Sequence, residues 1–127
     1  MGQQAVGPAD VRQAKPVLDR AHLARMTCGE PALEREVLSL FDTQAALLVA
    51  RMQASEMHAV PALAHTLKGS ASGIGALQVA EAAEAVERAV DAPSRVRAVV
   101  RLTAAVTAAR HEIAGALRDG ARRGMTL

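Results

Sequence analysis

The 127-residue chain contains no tryptophan and no tyrosine, and Phe41 is its only aromatic residue. Its interior must therefore be made of Ala, Val, Leu, Ile and Met. Cys28 stands alone, which excludes an internal disulfide and suits a reducing compartment. By residue type it reads as a small, partly buried hydrophobe. There is no apolar run of about 18 residues, and no charged stretch followed by a short apolar one at the start, so neither a membrane span nor a secretory signal is expected. "MGQQAV" lacks the Ser or Thr that a myristoylation signal carries at its sixth position. A formal charge of +2, with basic residues gathered in "ALRDGARRG", is too mild for a nucleic-acid binder so poor in aromatics. The expectation is a cytoplasmic protein that binds neither membrane nor nucleic acid.

Good helix formers dominate, and the alternating β-branched runs that mark strands are missing. The length fits one domain, which commonly runs about 100 to 200 residues. We expect a flexible tail over 1–9, a helical domain over 10–118 and a flexible basic tail over 119–127. A short helix within 10–26 has Val17, Leu18, Ala21 and Ala24 as apolar positions. Gly29 is suited to end it, and Pro31 to open the next. From Pro31 to about Ala54, Leu33, Val37, Phe41, Leu48 and Met52 recur at spacings of four or seven, with Leu40 and Leu47 widening the stripe.

Two starts are open for the following helix, about 57–73. Ser55 is a plausible N-cap, and Pro61 sits in the first turn or kinks the helix. Residues 76–91 place Leu77, Ala80, Ala83, Val86 and Val90 on one side, with Glu84 and Arg88 spaced to pair. Ser94 is a candidate cap for a last helix over about 95–118, where Val99, Leu102, Val106, Ala109, Ile113 and Leu117 form the stripe. Long helices with short connections predict an all-α fold, an antiparallel up-and-down four-helix bundle with an additional short N-terminal helix. A monomer is the default for such a bundle.

The stretch "AHTLKGSASGIGA", residues 64–76, is the one that asks for chemistry. At about 100° per residue, Val60, Leu63, Ala64, Ala71 and Ile74 cluster within roughly 60° of Leu67 and form the buried side. His65 falls about 160° away and Gly69 about 160° away on the other side, with Lys68 near the boundary. His65 thus faces solvent, as His22 and His111 do by their residue type alone. A glycine inside a helix costs about 1 kcal/mol relative to alanine. At an outward position that cost has no return in packing, so Gly69 reads as clearance for a partner approaching His65. Lys68 lies within reach of an anion carried on the ring.

Other chemistries fail on spacing. His58 and His65 are about 10.5 Å apart along a helix, too far to share a zinc whose bonds to nitrogen are near 2 Å. Ser70 and Ser72 lack the G-x-S-x-G setting of a hydrolase, and no phosphate-binding glycine loop is present.

The stretch resembles the signature of histidine-containing phosphotransfer domains, the HPt proteins of bacterial phosphorelays. His65 stands at the phosphoacceptor position, and Lys68 and Gly69 at their expected offsets. "VLDRAHLARM", "LSLFDTQAALLVARM" and "AAEAVERAV" resemble the family's flanking helices, so the likeness covers roughly 16–118. The resemblance implies a four-helix bundle with an extra N-terminal helix. It also implies a domain that takes a phosphoryl group from a receiver aspartate and passes it to another receiver, without hydrolysing nucleotide. The implied partners are response-regulator receiver domains and a hybrid sensor histidine kinase. No cofactor is bound by the domain itself, the receiver bringing Mg²⁺ and the carboxylates. His65 is expected to react through Nε2, and an apolar patch around it, including Ala62, to meet the receiver. Pro61, one turn before His65, departs from the pattern. The tails favour a free-standing protein over the HPt piece of a larger kinase, and a non-catalytic helical adaptor is the alternative of another class.

Overall fold

The computed structural model describes residues 15–125, and every regular element among them is helical. The helices are α1 (Arg20–Met26), α2 (Pro31–Ala54), α3 (Val60–Ile74), α4 (Leu77–Arg88) and α5 (Ala92–Met125), with a 3₁₀ turn at Met57–Ala59 before α3. The expected tail 1–9 and the start of the expected first helix lie outside the described residues.

Local chemistry sets the boundaries. The Asp19 side chain caps α1 by accepting from the His22 backbone N–H at 3.0 Å. Gly29, at φ +71°, turns the chain by donating to the Ala24 carbonyl, and Pro31 opens α2 where its missing N–H costs nothing. Cys28 shares this turn at φ +55° and is exposed, not partly buried as its residue type suggested. Ser55 ends α2 in extended backbone and does not cap the next helix. Pro61 lies in the first turn of α3, where a helix has no N–H partner to lose, so it causes no kink. The cap of α5 is Asp91, whose Oδ1 accepts from the Ser94 N–H at 2.7 Å; the Ser94 hydroxyl is not the capping group.

The core is aliphatic, with Leu23, Leu38, Leu67, Leu102 and Ile113 among its fully buried side chains. Each contributes about 1.5 to 3 kcal/mol by leaving water. Phe41, Leu48 and Met52 are buried as the spacing predicts, but Leu33, Leu40 and Leu47 are 44%, 66% and 51% exposed. These three repeat every seven residues on the flank of α2, while Leu38 and Ala45 take the inward places. Val90, read as a core residue, is 91% exposed because α4 stops at Arg88.

Helix α2 packs on α3 and α5, α3 on α4, and α4 on α5, so the contacts close on themselves. Arg110 Nε on α5 lies 2.8 Å from Asp42 Oδ1 on α2. Further along, a Cβ placed on Gly120 would lie 3.3 Å from Arg35 Cδ. The later part of α5 therefore runs beside the earlier part of α2. Residues 119–125, expected as a frayed tail, continue α5.

Gly75 is the joint between α3 and α4. It closes α3 at φ +86°, its N–H donating to the Ser72 carbonyl and that of Ala76 to the Ala71 carbonyl. Its own carbonyl accepts from the Asp19 N–H at 2.8 Å, and His22 Nε2 lies 2.9 Å from the Gly73 carbonyl. Half-buried His22 thus pins α1 to the end of α3, where its residue type had suggested plain surface.

Candidate functional site

Helix α3 turns its buried residues Val60, Ala64, Leu67, Ala71 and Ile74 onto the core, and the outward positions follow from that rotation. The His65 side chain is 70% exposed and that of Lys68 32% exposed. Gly69 is exposed, and a Cβ added there would meet nothing within 4 Å. The three residues singled out in the sequence therefore lie together on one open surface, as the helical wheel requires.

A fourth residue joins them from α4. Glu87 Oε2 lies 2.8 Å from His65 Nδ1, and Glu87 Oε1 lies 2.9 Å from Lys68 Nζ. An ionised carboxylate can only accept, so Nδ1 carries the proton and donates it. In the neutral ring the lone pair is then on Nε2, the nitrogen left free of Glu87. The Glu87 carboxyl is held below the ordinary carboxylate value, chiefly by its hydrogen bond with Lys68. Partial burial opposes this, and the bond from His65 reinforces it. Sequence reasoning missed Glu87 because nothing in the α4 pattern separates it from Glu81 or Glu84. Only the packing of α4 on α3 makes it the carboxylate that meets both side chains.

The surroundings differ from one side of His65 to the other. Toward α2, a shallow apolar hollow of about 280 Å³ is lined by Met26, Leu40, Phe41, Gln44, Gly69 and Gly73. Ser70 borders this hollow, and Ser72 is exposed on the opposite flank. Ala62 is exposed on the same helix as His65. His58 pairs loosely with Glu56 at 3.6 Å and does not join His65. Among the described residues, no group of three or more His, Cys, Asp or Glu side chains is placed to hold a metal ion.

A family model, the Hpt domain, matches residues 32–118 of the sequence. The chain belongs to the Hpt domain family. The matched span takes in α2, α3, α4 and most of α5, and includes all four residues of the cluster. The fold of this Hpt domain is similar to the crystal structure of the histidine phosphotransferase ShpA from Caulobacter crescentus. The two superpose with a TM-score of 0.72 at 29% sequence identity, over 87% of this chain and 99% of that one. A search of curated proteins finds no match. No helix among the described residues of this Hpt domain is long and apolar enough to cross a membrane.

Proposed function

We propose that this Hpt domain is a phosphorelay intermediate that takes a phosphoryl group on His65 from a receiver aspartate and returns it to another receiver. The observation that carries this reading is the state of the His65 ring, with Nδ1 held by Glu87 at 2.8 Å while the side chain stays 70% exposed. Phosphoryl transfer asks little covalent chemistry of the protein and depends on in-line positioning and charge stabilisation. In the forward step the Nε2 lone pair forms a bond to phosphorus as the bond from phosphorus to the aspartate oxygen breaks. The aspartate leaves as a carboxylate, and the proton on Nδ1 stays against Glu87. The second transfer reverses these changes with a new aspartate.

Lys68 supplies positive charge beside the incoming phosphoryl group, and Gly69 leaves the receiver room to bring its aspartyl phosphate in line with Nε2. The apolar hollow beside Gly69, with exposed Met26 and Leu40, suits the body of a receiver docking across α1, α2 and α3. Mg²⁺, with the carboxylates that hold it, belongs to the receiver in this reading and would neutralise phosphoryl oxygens during transfer. A hybrid sensor histidine kinase supplies the first receiver. We take residues 10–118 as the domain, folded as an antiparallel four-helix bundle and acting as a cytoplasmic monomer. The closed contacts among α2, α3, α4 and α5 and the pairing of α2 with the far part of α5 support that arrangement.

The test is to incubate the protein and its His65→Gln variant with a hybrid kinase and labelled ATP, then to look for acid-labile, base-stable label. Label on the wild type alone is the expected result. Absence of label from both proteins, with kinases known to be active, would replace the relay with a non-catalytic adaptor.

A further inference from the structure

The flank of α3 opposite the apolar hollow has a different character. A groove of about 900 Å³ runs from Lys68 and Ser72 across α4 to the first turns of α5. Lys15, Lys68, Arg88, Arg97 and Arg101 line it, against two carboxylates, Glu81 and Glu84. Glu84 is engaged by Arg88 at 2.7 Å, and Lys68 is engaged by Glu87 at 2.9 Å. Lys15, Arg97 and Arg101 have no carboxylate within ion-pair distance among the described residues. Arg97 instead donates to the Ser94 hydroxyl at 3.2 Å.

Arg97 and Arg101 stand one helical turn apart, both exposed, with buried Ala98 between them. Like charges at this spacing repel and weaken a helix slightly. The repulsion is relieved when carboxylates from outside enter the groove. Lys68 makes the groove continuous with the cluster at His65, so a partner over one also reaches the other.

Building on the phosphotransfer reading above, we infer that this groove is a docking surface for a carboxylate-rich protein face. It sets the orientation in which the receiver meets His65, with the receiver's apolar edge over Met26 and Leu40 and its acidic edge over Arg97 and Arg101. Complementary charge acts mainly on encounter rate and register, and salt weakens it.

The experiment compares wild type with two charge-matched double variants, R97E/R101E in the groove and R35E/R118E at the other end of the molecule. Arg118 is about 26 Å along α5 from Arg101. Helix content of each protein is checked by circular dichroism. Binding of a purified receiver domain is measured by calorimetry at low salt and at about 0.5 M salt, where the screening length is only a few ångström. Labelled phosphate transfer from the same receiver, after its phosphorylation, is followed separately.

We expect R97E/R101E to weaken low-salt binding by about tenfold or more, with most of the difference gone at high salt, and R35E/R118E to stay within about twofold of wild type. Equal weakening by both pairs, or by neither, overturns the groove. Charge-dependent binding by a wild-type protein that takes no label keeps the groove and removes the phosphotransfer reading. Transfer of label with binding indifferent to R97E/R101E does the opposite. Failure to bind any receiver removes both.

Discussion

Lys68 Nζ and Glu87 Oε1 lie 2.9 Å apart, and the same carboxylate reaches His65 through its other oxygen at 2.8 Å. One side chain thus holds the lysine and the imidazole together. It also keeps the proton of the ring on Nδ1 and leaves Nε2 free.

Glu87→Gln keeps a similar shape but removes the charge, and its amide nitrogen can turn toward the ring. A hydrogen bond to a charged group is worth about 1.5 to 3 kcal/mol, and 1.4 kcal/mol is tenfold in rate. Labelling of His65 in Glu87→Gln is therefore expected to slow on the order of tenfold. Rapid-quench measurement at saturating receiver separates this from a binding defect, and an unchanged rate would show that Glu87 does not orient the ring.

The same carboxylate makes stability depend on pH. Its folded value is lowered from the ordinary 4.5, mainly by Lys68, so the unfolded chain binds the proton more readily. The stabilisation is therefore complete above about pH 4.5 and fades as pH falls through the lowered folded value. Thermal midpoints of wild type and Glu87→Gln should differ at pH 7, with wild type the higher, and should converge in acid. A gap that widens below pH 4.5 would contradict the assignment.

Gly69 separates stability from function. Since an added Cβ meets nothing within 4 Å, Gly69→Ala should raise the unfolding free energy by about 1 kcal/mol in urea titration. The bulkier Gly69→Leu should also fold, yet slow transfer from a receiver by crowding Nε2. A fully active Gly69→Leu protein would remove the clearance role.

Gly75 behaves in the opposite way. A Cβ there would lie 2.9 Å from the Asp19 carbonyl oxygen, and the left-handed backbone costs a side chain roughly 1 to 2 kcal/mol. Gly75→Ala should therefore destabilise the protein by more than this strain alone and loosen α1 from α3. Amide hydrogen exchange at Asp19 and Leu23 should rise together with the loss measured by denaturation.

The helical class and the outward turn of His65, Lys68 and Gly69 were legible because α3 has a strong apolar stripe whose period fixes its rotation. Helix α2 was harder, because apolar residues nearly surround it and the spacing of Leu33, Leu40 and Leu47 is as regular as that of the true core residues. Only packing decides which stripe points inward. The start of α3 stayed open between Ser55 and Pro61, and packing chose the first-turn proline; the cap of α5 was misread because Asp91 competes with Ser94 for that role. Glu87 was illegible for a different reason: its importance comes from a neighbouring helix 22 residues away from His65 and leaves no trace in local spacing.

That separation of 22 residues is also short for a functional site. His65, Lys68 and Glu87 all fall within one helical hairpin, joined at Gly75. Its contact between His65 and Glu87 therefore closes a shorter loop than the 68 residues between Asp42 and Arg110, at a smaller cost in loop-closure entropy. The geometry at His65 is a property of the α3–α4 hairpin, while α1, α2 and α5 pack around it as support. Substitutions on the outer faces of α1, α2 and α5 should therefore leave the contacts of Glu87 with His65 and Lys68 in place.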